Sequence, residues 1–307
     1  MHIEHGNAIC YSGYREGQSP QTGDYPSYKQ ICEDLKILAN NWSYLRLYDC
    51  SAHAETVLRV IQNEKLEFKV MLGVDMAAEV SNPGCPWGAE FDDDTLAKNA
   101  AANEAQISRL TELANAHEEH VFAVSVGNEA SVDWTDHMVP VERLLGYVRA
   151  LRACVSQPIT FCENYVPWTG KLAPLVAELD FISIHTYPAW EYKHIDDALA
   201  YTKDNYWHVA AHYPDKPVVI TEAGWTTKAN GRGIDPDNAS ESLQASYYQQ
   251  LLEWTNHEKI LTFVFEAFDE PWKGSEDPAE PEKHWGLFNE DRSPKLVMQP
   301  LYGSNNP

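Results

Sequence analysis

Glutamates stand directly after three apolar runs of this chain, each with a tryptophan a few residues on. Glu129 lies in VSVGNEA, Glu222 in VVITEAGW and Glu266 in FVFEAFDEPWK, a segment that also carries Glu270, Trp272 and Lys273. Carboxyl groups brought together from remote points of a chain have a direct chemical use, the cleavage of an acetal. One protonates the leaving oxygen while the other, ionised, meets an oxocarbenium-like centre. A separation of about 5–5.5 Å gives retention through a covalent intermediate, and about 6.5–9.5 Å gives inversion. The sequence proposes the pair Glu129 and Glu222 and leaves the distance to the fold.

The tryptophans point to the same kind of ligand. Of ten, Trp87, Trp134, Trp168, Trp190, Trp225, Trp272 and Trp285 fall in segments that follow apolar runs. A pyranose presents C–H groups on one face, and flat aromatics bury that face while the hydroxyls stay free to hydrogen-bond. Charge sets the sign of the partner. Twenty-three basic residues against 46 acidic ones give −23, which repels nucleic acid, anionic lipid and acidic polysaccharide over a Debye length of about 8–10 Å. A neutral saccharide meets no such barrier.

The elements that must position these residues alternate. Short β-branched or aromatic runs occur at 6–11 (GNAICY), 44–48, 68–74, 121–126, 159–162, 181–184, 218–221 and 261–265. Several are apolar throughout, as parallel strands buried on both faces are. Helical patterns lie between them: 28–39, with Ile31, Leu35 and Leu38 on one face; a helix capped by Ser51; 95–116; one opened by Pro140; 195–212; and 240–256. Eight strand–helix repeats over 307 residues predict an α/β fold, a (β/α)8 TIM barrel, as a single catalytic domain over 1–307. An open doubly wound sheet wants a Gly-rich phosphate turn after its first strand, and YSGYREGQ has the wrong spacing. In a barrel, the residues just after the strands meet at one face, which is where the three glutamates sit.

These motifs together resemble glycoside hydrolase family 17, the β-1,3-glucanase and β-1,3-glucanosyltransferase family of the retaining barrel clan. The match is carried by ICYSGYREGQ, YLRLYDC, VSVGNEA, ISIHTYPAW, VVITEAGW and FEAFDEPWK…EKHWGLFNEDRSPK, from about residue 7 to 298. The resemblance implies Glu222 as nucleophile and Glu129 as general acid/base. Glu129 would then stay protonated near neutral pH through partial desolvation and a neighbouring negative charge, and Glu222 would need donors that keep it ionised. It further implies Asn128 at the sugar 2-hydroxyl, and Glu270, Lys273 and Glu282 as a charge cluster beside the nucleophile. Tyr11, Tyr48 and Tyr187 end strands and are candidates for the central sugar subsite. Trp190, Trp225, Glu266 and Trp272 complete the substrate-binding set. His185 is expected to orient a neighbour at the barrel mouth. The segment from Met76 to Asp94, with Trp87, is the longest strand-to-helix connection and could close one end of a cleft. Gly13 stands where many members of the family have proline.

The expected activity is hydrolysis of a neutral, laminarin-like β-glucan, with transfer to a sugar acceptor as the alternative and a glucan-binding module without catalysis as the third reading. No cofactor or metal is expected. His117-Glu118-Glu119-His120 has its histidines three apart instead of four, and His208 with His212 lacks a third ligand. Cys10, Cys32, Cys50, Cys85, Cys154 and Cys162 form no C-x-x-C and are read mostly as buried free thiols. No run approaches the roughly 18–20 apolar residues of a membrane span. A monomer is expected, free of nucleic acid and membrane. A secreted or periplasmic setting is expected if a leader is removed, and a cytoplasmic one otherwise.

Overall fold

The structure is a computed structural model that describes residues 3–303; the outermost positions of the expected 1–307 domain lie outside them. Eight parallel strands close into a barrel in chain order: β1 (Asn7–Cys10), β2 (Tyr44–Leu47), β3 (Lys69–Gly73), β4 (Val121–Asn128), β5 (Ile159–Asn164), β6 (Ile182–Thr186), β7 (Val218–Ala223) and β8 (Thr262–Val264). Closure is made by β1 against β8, with Ala8 opposite Phe263. The expected TIM barrel is what forms. Side chains of one parity, among them Ala8, Met71, Ala123, Cys162, Phe181, Val219 and Phe263, fill the interior. The alternate set, such as Ile9, Leu45, Leu72, Val124 and Ile184, packs outward under the helices. Both faces are apolar because both are covered.

The helices are α1 (Tyr28–Leu38), α2 (Ala52–Glu64), α3 (Asp93–Ala116), α4 (Val141–Arg152), α5 (Ala173–Val176), α6 (Ile195–His212), α7 (Glu241–Glu258) and α8 (Gln299–Tyr302). Local chemistry sets their starts. Ser27 and Gln30 form a reciprocal capping box at α1, Ser51, Asp92 and Ser240 cap α2, α3 and α7, and Pro140 precedes α4. The eight helices differ widely in length. The segment after β5 holds a 3₁₀ turn, Val166–Thr169, and the four-residue α5, each opened by a proline, with Gly170 between them. Residues after β8 run as a long loop to the equally short α8.

That loop is fastened by a buried ion network. Arg292 donates to both oxygens of Asp34 on α1, at 2.7 Å each, and to the Gly13 carbonyl at 2.8 Å. Tyr11 and Arg15 add bonds to the same carboxylate at 3.1 and 2.9 Å. Gly13 has φ +74°, which proline cannot adopt, and a Cβ there would stand 2.7 Å from Asp34. Removing one partner of a fully buried pair leaves an uncompensated charge, a loss of about 3–5 kcal/mol. Asp34→Ala should therefore lower the unfolding free energy by about that amount in urea titration. Arg149→Ala, which breaks an exposed pair with Glu178, should change it by about 1 kcal/mol or less.

Candidate active site

At the carboxyl ends of the strands lies a cleft of about 900 Å³ whose floor holds Asn128, Glu129 and Glu222. Irregular register aims them. The β4–β5 pairing slips between Ser125 and Asn128, where Gly127 takes φ +102° and Glu129 a left-handed φ of +46°. A side chain at Gly127 would press on Met76 and Phe161 at 3.3 Å. A second slip, between Ile184 and His185, sets His185 opposite Glu222. Bulges of this kind re-aim side chains at barrel rims.

Glu222 is 5% exposed and surrounded by donors. Its Oε1 accepts from Arg46 and, at 2.9 Å, from the Tyr48 hydroxyl. Its Oε2 accepts from Tyr187. The Arg46 guanidinium lies 4.4 Å above the Tyr48 ring and also donates to the Asn128 side chain. Burial alone would raise the pKa of Glu222. The positive charges of His185 and Arg46 and the Tyr187 bond outweigh it and hold the carboxyl well below the ordinary range.

Glu129, one-third exposed at its side chain, accepts from His185 Nδ1 at 2.8 Å, and the same nitrogen lies 3.5 Å from Glu222 Oε2. Burial pushes the His185 pKa down, but Glu222, Cys162 and Glu129 raise it to about 10. Oxygens of the two glutamates and a ring nitrogen of His185 all fall within 4.8 Å of one another. Among the described residues this is the one cluster whose ligand spacing would suit a metal ion. Arg46 already supplies positive charge on its Glu222 side, so the arrangement is suited to moving protons.

A family model described as the BtgE/BtgC glycoside hydrolase domain matches residues 8–286. The chain belongs to that family. It is 27% identical to btgC of Aspergillus niger over 88% of its own length and 40% of that protein's, so it spans less than half of this relative. It is 25% identical to a glucan 1,3-beta-glucosidase of Arthroderma benhamiae, covering 92% of this chain and 89% of the other. An endo-laminarinase from Formosa Hel1_33_131 superposes with TM-score 0.83 at 28% identity, over 96% of this chain and 86% of its own.

In this glycoside hydrolase the expected aromatic lining is present in part. Trp87, Trp134, Trp190, Trp272 and Trp285 line the cleft, with Tyr11, Tyr48, Tyr187, Lys273 and Glu282. Trp225 does not. It is 1% exposed, donates to the Asn238 carbonyl and packs on Tyr247 beneath α7. Trp168 is likewise buried, against Phe161. Tyr11 is only 1% exposed, and its hydroxyl is bound to Asp34. The connection carrying Trp87 is tied to the β4–α4 loop by Asn82, which donates to the carbonyls of Asp133 and Thr135. It forms a side wall.

Glu266 and Glu270 are also placed away from the ligand space. They are 2% and 1% exposed and grip Lys273 from below, at 2.6 and 2.8 Å. The cluster is thus a support, with Lys273 and Glu282 at the cleft face. Arg46 was missed from sequence, although a lone arginine within the apolar YLRLY was its signal. The histidines of 117–120 and 208–212 stay apart from the site, His120 beside Glu119 and His208 bonded to Thr169. All six cysteines are free, four of them buried, as read from the sequence. Burial raises the Glu282 pKa to about 7 against the pull of Lys273. The folded protein then holds a proton that the unfolded chain releases near 4.5. The stability this confers is full below 4.5 and is lost as pH rises through about 7. Glu282→Gln should flatten the fall of the urea midpoint across that window, measured at intervals of pH.

Proposed function

We propose that this chain is a retaining hydrolase of glycoside hydrolase family 17, acting on neutral β-1,3-glucan as one catalytic barrel domain. The observation that carries the reading is the approach of one oxygen each of Glu129 and Glu222 to within 4.8 Å, close to the roughly 5–5.5 Å of the retaining class and short of the roughly 6.5–9.5 Å of the inverting one. Glu222, kept ionised by its donors, attacks the anomeric carbon as Glu129 protonates the departing oxygen, giving a covalent glycosyl-enzyme. Glu129 then takes a proton from water as the ester is cleaved. The names of the Arthroderma and Formosa relatives support the β-1,3 linkage. The rings of Trp190, Trp272 and Trp285 along the cleft suit the apolar face of a sugar ring. The bond from Arg46 to Asn128 at the cleft supports a role for Asn128 at the 2-hydroxyl.

A second reading is transfer to a sugar acceptor, favoured by the wall of Trp87 and Trp134, 65% and 39% exposed. Chromatography of a short laminari-oligosaccharide digest separates the two: products longer than the substrate mean transfer. Glu222→Gln should reduce release of reducing sugar to background, and proton NMR of early products should show the β-anomer first. An active pure variant, or initial α-anomer, would end the assignment. Tyr187→Phe removes a donor that keeps Glu222 ionised, so its pKa rises. The acid limb of kcat/KM should then move toward neutrality by about one pH unit.

A further inference from the structure

Glu129 leaves β4 on a strained left-handed backbone, and its side chain is one-third open. Among the described residues, the His185 contact is the only hydrogen bond to its carboxyl group. That bond takes Oε1 and leaves Oε2 without a protein partner. The donor is fixed far more firmly than the group it holds. His185 is completely buried on β6, and the charged or titratable groups acting on it include Glu129, Glu222 from β7, Arg46 from β2, and Cys162 and Glu163 from β5. Glu222 has its own three donors and lies 3.5 Å from Nδ1 against 2.8 Å for Glu129. The ring's short bond is therefore given to Glu129.

We propose that His185 is the positioning residue of the acid/base. Its Nδ1–H anchors Oε1 of Glu129, so that Oε2 alone exchanges the proton in both halves of the reaction. This rests on the reading of Glu129 and Glu222 given above. In the first half, the proton passes from Oε2 to the glycosidic oxygen as the C–O bond breaks and the Glu222 ester forms. In the second, water attacks the anomeric carbon, its proton goes to Oε2, and the ester bond breaks to restore the Glu222 carboxylate. His185 keeps its Nδ1 proton throughout. An unanchored carboxyl would rotate between two faces, and the open backbone around Glu129 offers nothing else to stop it.

The test compares His185→Met, which fills the space without a donor, and His185→Asn, which retains one. On a laminari-oligosaccharide, His185→Met should lose about 10²-fold in kcat, the scale of general acid/base assistance, with KM within about threefold. With a dinitrophenyl β-laminaribioside, whose leaving group needs no proton, added azide should restore turnover and yield the β-glycosyl azide, as it should for Glu129→Ala. His185→Asn should stay within about tenfold of the parent on both substrates. Equal losses on both substrates with no response to azide would show a merely structural role and overturn the proposal. So would full activity of His185→Met. If His185→Met does not fold, the Asn variant decides: a dependence on leaving-group acidity like the parent's supports the anchor, and a steeper one overturns it. Failure of azide to rescue Glu129→Ala would instead sink the assignment of Glu129, and this inference with it.

Discussion

A carboxylate held in its charged form while shut away from water is the constraint around which this barrel mouth is organised. Glu222 is buried, and burial by itself favours the neutral acid. Arg46, Tyr48 and Tyr187 donate to it from the ends of β2 and β6, and His185 adds charge from β6. Each donor comes from a different place on the rim or a different register position. The ring of strands is what lets them converge, since no single helix or hairpin presents donors on several sides of one carboxylate. Arg46 is also committed twice, to Glu222 and to Asn128, so the nucleophile candidate and the residue that would meet the 2-hydroxyl are fixed by one rigid fork.

A second set of buried charges carries the far wall. Lys273 is held by Glu266 and Glu270, and burial, which would strip its proton, is overcome by those carboxylates, raising its pKa. Glu270 accepts from the Tyr14 backbone at 3.2 Å, tying this wall to the loop after β1. The Asp34–Arg292 network fastens the segment that follows Glu282 and Trp285 to α1. Long loops are costly to order, and here ordering comes from buried, multiply bonded ions in place of helices.

Much of this was legible in the chain. Strand ends, helix caps and the two glutamates followed from apolar runs and their punctuation, because parallel strands buried on both sides leave a strong signal. Facing was harder to read. Trp225 lies just past the end of β7, where its indole donates to the Asn238 carbonyl and packs on Tyr247 beneath α7. Position after a strand does not tell which way a loop side chain turns, and Trp168, in the 3₁₀ turn after β5, packs inward on Phe161. Glu266 and Glu270 resemble ligand residues by type, but only the fold shows Lys273 standing between them and the cleft. Arg46 has no such punctuation beside it, because it sits inside an apolar run, on β2, and turns its guanidinium to Glu222. The slips in register at Gly127–Glu129 and at His185 leave no mark in the periodicity at all.

The distribution of charge within the cleft bears on which sugars fit. A site for a uronic acid would offer a cation free to meet the sugar carboxylate. Here the basic groups at the cleft are already satisfied: Arg46 by Glu222, Lys273 by Glu266 and Glu270, and Arg232 by Glu280 at 2.8 Å. Asp49, Asp75 and Glu191 line the same space, and the whole chain carries −23. An anionic ring would enter against that field and find no unpaired positive charge at the bottom. A neutral glucose unit meets aromatic side chains that can cover its C–H face. The positive charges in this site serve the protein's own carboxylates, and that allocation favours neutral chains.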